Sequence, residues 1–209
     1  MTTSKPTVFI VDDDASVLKA VARLLRSAGF KNALFSSAQQ FLDEHDSNAS
    51  GCLVLDVAMP KMNGLALQQT LAAQNSELPI IFLTGNGDIP MSVRAIKQGA
   101  VDFLTKPVND SDLISAIQNA IETNQTTRQA RSKLHELQQR LATLTPRERE
   151  VLSHVVSGKK NKQIALELGT VEKTIKVHRA HLMAKLQVRS LAELVKMSER
   201  LGIISSPLE

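Results

Sequence analysis

The sequence predicts two units of different class: an α/β unit on a five-stranded parallel sheet, then an all-α unit of four helices. Three observations carry this reading. Short apolar runs alternate with amphipathic helical patterns as far as residue 121. Beyond it, helix-capping signals and a pair of helical patterns broken by a glycine take over. The charge also changes sign there: residues 1–121 hold 9 Lys+Arg against 12 Asp+Glu, and residues 122–209 hold 16 against 9. Only the second part has the charge to meet a polyanion, and it is equally readable as a solvated basic surface. At 209 residues and 43% apolar content, the chain has material for two packed cores.

The strands expected in order are TVFIV, NALF, CLVLD, PIIFLT and DFLTK, each β-branched or aromatic and each followed by a helical pattern. Those helices fall at about 15–28, 37–44, 64–74, 89–98 and 110–121. Parallel neighbours need a crossover helix, so the alternation implies a sheet covered on both faces. Cys52, the single cysteine, sits within CLVL and reads as a buried core thiol; an intrachain disulfide and a cysteine zinc cluster are excluded. No apolar run approaches a membrane span, and MTTSKPT lacks the layout of a signal peptide, so a soluble cytoplasmic protein without membrane contact is expected.

In sheets of this kind ligands bind beyond the carboxyl ends of the strands. The first strand runs into Asp12 and Asp13, the third ends in Asp56, the fourth in Thr84 and the fifth in Lys106. Singly, each has an ordinary reading as a helix cap, a strand-end turn residue or a solvated lysine. Together they bring four polar groups to one edge. Clustered carboxylates repel one another unless a cation compensates them, and a hard, oxygen-seeking ion such as Mg²⁺ suits them. A hydroxyl and a lysine can hold a phosphoryl anion at the same place. Lys106 is followed by Pro107, which fits a rigid turn, a cis peptide being one form.

The patterns VDDD, LVLDVAMPKMNG, FLTGNGD and GAVDFLTKP resemble the receiver domain of bacterial two-component response regulators, over residues 5–122. The resemblance implies a flavodoxin-like (βα)5 fold, with Asp56 as phosphoacceptor and Asp12 and Asp13 as the acidic pair for Mg²⁺. It also implies that Thr84 engages the phosphoryl group, Lys106 pairs with it, and the Ala58 carbonyl completes the metal shell. Phe103 stands where the family carries a switching aromatic, and is equally readable as a core phenylalanine. Ala58 is smaller than the residues common at its position and Asn86 is a variable one, which leaves phosphoryl lifetime open.

Residues 123–141 are expected to form a helical linker continuing from the last receiver helix, with Leu134, Leu137, Leu141 and Leu144 at spacings of three and four. The stripe reads as weakly self-associating, or as leucines covering one domain's core. TPRE then presents a capping box, Thr145 with Glu148, and SLAE repeats the device with Ser190 and Glu193. Between them, helices at 160–168 and 172–186 meet at Gly169, which supplies a left-handed turn. On the second of these, Ile175, Leu182 and Leu186 share one side, and Lys173, Lys176, Val177, Ala180 and Ala184 another. Lysines among small residues suit a major groove.

LTPREREVLSHVVSGKKNKQIALELGTVEKTIKVHRAHLMAKL resembles the helix-turn-helix domain of the LuxR/NarL class, over 142–205, and the whole chain resembles a FixJ-type response regulator. That likeness implies that Lys176 and Val177 face bases, while Asn161, Lys162, Lys173, Thr174, Arg179 and Arg189 lie on the phosphate side. Thr170–Val171 inverts the family's usual order and weakens the cap of the recognition helix. The implied function is transcription regulation switched by phosphorylation. A sensor histidine kinase, promoter DNA and RNA polymerase are the implied partners, with homodimerisation through the face of residues 89–98 and the strand at Phe103. Such a protein is a switch rather than a metabolic enzyme. The rivals are an aspartyl-phosphate phosphohydrolase, which needs an acid where Ala58 stands, and a constitutive DNA-binding protein with the receiver as scaffold.

Overall fold

The computed structural model describes residues 5–46, 49–85 and 88–203. Asn86 lies outside them. The chain divides into two compact units between Arg128 and Gln129.

The first unit alternates β1 (Thr7–Val11), α1 (Ala15–Ser27), β2 (Lys31–Phe35), α2 (Ala38–Glu44), β3 (Gly51–Leu55), α3 (Gly64–Ala73), β4 (Ile80–Thr84), α4 (Ile89–Lys97), β5 (Asp102–Thr105) and the start of α5 (Asp110–Ala142), whose residues from Gln129 onward belong to the second unit. The strands are all parallel, in the order β2-β1-β3-β4-β5. This is the flavodoxin-like arrangement, whose connectivity reverses between β1 and β3. The central strands β1, β3 and β4 are buried at every position, whereas the edge strands β2 and β5 are partly exposed. That contrast explains why the central runs are continuously apolar and KNALF and DFLT are mixed.

Each sheet face carries its own core. On one, Val8, Ile10, Cys52, Val54 and Ile81 pack against Leu18, Ala22 and Leu25 of α1 and Leu113, Ile117 and Ala120 of α5. On the other, Phe9, Leu53, Leu55 and Phe82 meet Phe41 of α2, Leu67 and Leu71 of α3, and Ala95 of α4. Cys52 is buried, and desolvation pushes its thiol up to about 12. Gln68 of α3, also buried, donates from Nε2 to the Ala95 carbonyl of α4. Asn124 ties α5 to the amino end of the sheet, accepting from Gly51 N–H and donating to Glu77 O. Among the described residues, no helix is long and apolar enough to cross a membrane.

The second unit holds α6 (Pro146–Val156), α7 (Asn161–Glu167), α8 (Glu172–Leu186) and α9 (Leu191–Arg200). Its core joins Val151, Leu152 and Val155 with Ile164, Ile175, Leu182, Leu186, Leu194 and Met197. Leu144 is buried in that core, and Leu137 and Leu141 pack against it, leaving Leu134 exposed. Three of the four leucines of the stripe therefore contribute to this core. The Thr145–Glu148 capping box is complete. At α9 only half of the expected box forms: Ser190 Oγ accepts from Glu193 N–H, but Glu193 accepts from the Arg189 N–H instead of that of Ser190. Gly169 adopts φ 64°, a left-handed conformation that costs glycine little and sets the turn between α7 and α8.

Candidate functional site

Two candidate sites lie in separate units. In the first unit, the carboxyl ends of β1 and β3 deliver Asp12 and Asp56, both buried, on either side of the reversal in strand order. The register holds them level, because Asp56 N–H donates to Val11 O at 2.9 Å. Lys106, just past β5, is set by its own N–H donating to Thr84 O, and the Lys106–Pro107 peptide is cis. Its Nζ donates to Asp12 Oδ2 at 2.5 Å and to Asp56 Oδ1 at 3.3 Å. The other oxygen of Asp56 accepts from Ala58 N–H at 3.0 Å, so the carboxylate plane is held from both sides. A Cβ on Gly64 would collide with the Asp56 carbonyl, which makes that glycine a condition of the loop's course.

Oxygens of Asp12, Asp13 and Asp56 lie within 4.8 Å of one another, with Asp13 exposed to solvent. Burial lifts the Asp12 carboxyl above its ordinary value, more than the hydrogen bond from Lys106 lowers it. Burial also opposes the Lys106 charge, but Asp12 and Asp56 outweigh it and hold the ammonium above its usual value. An anionic cluster with one internal cation is thus a fitting host for a hard divalent ion, whose ligands are carboxylate and carbonyl oxygens. Asp14, the third of the run, caps α1 by accepting from Ser16 and Val17 N–H, which hold its carboxyl below the usual range. The cluster opens into a shallow depression lined by Asp12, Asp13, Asp14, Val17, Asp56, Ala58, Gly85 and Lys106. Thr84 is at the same edge but fully buried. Phe103 is half-buried, its ring centroid 5.9 Å from that of Phe82.

In the second unit, α8 buries Ile175, Leu182 and Leu186 and exposes Lys173, Lys176, Val177, Ala180 and Ala184. Lys185 reaches Glu148, a buried carboxylate of α6, at 2.7 Å. Arg179 donates to Asn161 Oδ1 at 2.9 Å, which ties α8 to the start of α7 and occupies part of both side chains. Lys162 and Arg189 are exposed, and Thr174 is half-buried. The helix starts after Val171, which offers no capping side chain. Glu172 forms an ion pair with Lys176 at 3.0 Å. Its spacing, Glu four residues ahead of Lys, is a signal the sequence carried openly. The ties made by Gln68 and Asn124 had no such signal.

Residues 8–118 match the response regulator receiver domain, and residues 142–198 match the luxR family of bacterial regulatory proteins. The chain is 45% identical to nodulation protein W of Bradyrhizobium diazoefficiens over 99% of its own length and 91% of that protein. It is 41% identical to the transcriptional regulatory protein FixJ of the same organism, over 97% of this chain and 99% of FixJ. Among solved structures, the response regulator StyR superposes with a TM-score of 0.90 at 49% identity, covering 94% of this chain and all of that one. The protein belongs to the FixJ-type response regulators, phosphorylation-dependent transcription regulators in which a receiver domain precedes a LuxR-class DNA-binding domain.

Proposed function

We propose that Asp56 accepts a phosphoryl group from the phosphohistidine of a sensor kinase, and that the modified receiver (5–122), acting through the helical linker (123–141), controls promoter binding by the helix-turn-helix domain (142–205). The observation that carries this reading is the meeting of Asp56 with Asp12, Asp13 and Lys106 at the carboxyl ends of the strands. An oxygen of the ionised Asp56 attacks phosphorus in line, the P–N bond to the kinase histidine breaks, and the departing imidazole takes up a proton. Asp12, Asp13, Asp56 and the Ala58 carbonyl would hold Mg²⁺, which would supply neutralisation of charge on the transferring group. Lys106 holds a phosphoryl oxygen as a point charge, while Ala58 N–H keeps the carboxylate oriented. Thr84 and Phe103 then carry the change toward α4.

That helix has an unusual balance. Ile89, Val93, Ile96 and the neighbouring Val101 are exposed, Ile89 by 79%, and within α4 only Ala95 is buried. Such a face favours a second copy of the receiver, and dimerisation raises effective concentration on a two-fold DNA site. On α8, Lys176 and Val177 face bases and Lys173, Thr174 and Arg179 lie toward phosphates, together with Asn161 and Lys162 of α7 and Arg189 just beyond α8. The protein acts in the cytoplasm as a switch that recruits or blocks RNA polymerase, rather than as a metabolic enzyme.

Asp56→Asn tests the assignment. With Mg²⁺ and a small phosphodonor, the variant is expected to take up no acid-labile phosphate and to sediment as the untreated protein does. Stoichiometric labelling of the variant would remove Asp56 from the mechanism.

A further inference from the structure

Glu172 is the single carboxylate on α8, a helix that otherwise carries three lysines and an arginine. In the first turn it complements the helix dipole, which accounts for an acid there but not for its partner. Its carboxylate lies 3.0 Å from Lys176 Nζ, and both side chains are exposed. Exposed pairs of this kind add little to stability. Toward a polyanion, a carboxylate at the leading end of the helix repels phosphates and weakens binding to every sequence. What the pair supplies is an acceptor and a donor side by side, on the exposed face that also bears Val177.

The major-groove edge of a G·C pair is the complement of that arrangement. Guanine N7 and O6 accept, and cytosine N4–H₂ next to them donates. An A·T pair breaks the order by placing the adenine donor between two acceptors, with a methyl group beyond. The residues that contact base edges in helix-turn-helix proteins lie toward the N-terminus of the recognition helix, where Glu172 and Lys176 stand.

We propose that Glu172 is a specificity-determining residue that reads one G·C pair in each half-site together with Lys176, Lys176 meeting guanine and Glu172 accepting from cytosine N4–H₂. The inference rests on the reading of α8 as the groove helix. Its test uses the full-length protein treated with beryllofluoride, wild type and Glu172→Gln, each selecting from a duplex pool with a randomised core. The wild type is expected to enrich a motif with a fixed G·C pair. Glu172→Gln should enrich the same motif with that pair relaxed, discrimination there falling about tenfold, and should bind a scrambled duplex more tightly. Adding Lys176→Ala to the variant should relax no second position. A motif unchanged by Glu172→Gln, or relaxation by the two substitutions at separate positions, overturns the inference and leaves the groove reading standing. A wild type that enriches no motif overturns both.

Discussion

The acidic site of the receiver is assembled from residues 12, 13, 56 and 106, brought together from the ends of three strands. The exposed residues of α8, from Lys173 to Ala184, lie along one helix instead. The first exists only when the whole sheet is in register; the second is written into a local periodicity and needs tertiary structure merely to be held out toward solvent. Their electrostatics differ in the same sense. The receiver buries Asp12 and Asp56 and compensates them internally with Lys106, while α8 leaves its lysines exposed to solvent. A switch needs both kinds of site: one sensitive to small displacements of packed elements, and one that survives them.

The comparison can be broken most severely at Leu182, which is fully buried in the core of the second unit. Leu182→Ala is expected to cost about 2–5 kcal/mol, by lost transfer energy and a residual cavity. DNA binding should fall with the α8 support while phosphate uptake by the receiver persists. Urea unfolding followed by circular dichroism, with phosphate uptake measured alongside, checks this, and loss of uptake would mean that the units do not keep their chemistry apart.

A smaller effect is expected at Gly64, where an added Cβ meets the backbone of Asp56 rather than a side chain that could turn aside. Gly64→Ala should destabilise the receiver by about 1–3 kcal/mol and slow phosphorylation, since the carboxylate is displaced with its own carbonyl. DNA binding by the unphosphorylated chain should be unaltered. An unchanged phosphorylation rate would show that the site tolerates shifts which the packing suggests it does not.

The smallest expected effect sharpens the contrast in charge. Hydrogen bonds from Lys185 and from Thr145 N–H hold the Glu148 carboxyl below its ordinary value. A carboxyl with a depressed folded-state pKa adds stability above its unfolded pKa and loses it as the pH falls through the folded value. The difference in stability between wild type and Glu148→Gln should therefore be largest near neutrality and shrink in acid, below the ordinary glutamate range. Unfolding at a series of pH values checks the sign; a difference that grows in acid would refute it.

Much of this was legible in the sequence, for identifiable reasons. The complete capping box at Thr145 follows from a signal a few residues long, and local signals survive whatever packs around them. SLAE implies a complete box, but Glu193 reaches back to Arg189, because the choice between two adjacent N–H groups depends on the path of the chain before the cap. The leucine stripe fitted self-association as well as it fitted core packing, since spacing shows which residues share a side and not what covers that side. The strand ends foretold that Asp12, Asp56 and Lys106 share an edge, but not that Lys106 bridges both carboxylates or that Thr84 is sealed from solvent.

By itself, the sequence determined the alternation of strands and helices, the two-unit division of charge, and the faces of α8, all of which depend on periodicity and composition within short windows. Only the tertiary structure decided the distances within the acidic cluster, the close approach at Gly64, and the ties from Gln68 to α4 and from Asn124 to the sheet. The physical reason is that a hydrogen bond or a forbidden Cβ depends on positions to within a fraction of an ångström. Those positions come from elements far apart in the chain, and only their mutual packing sets them.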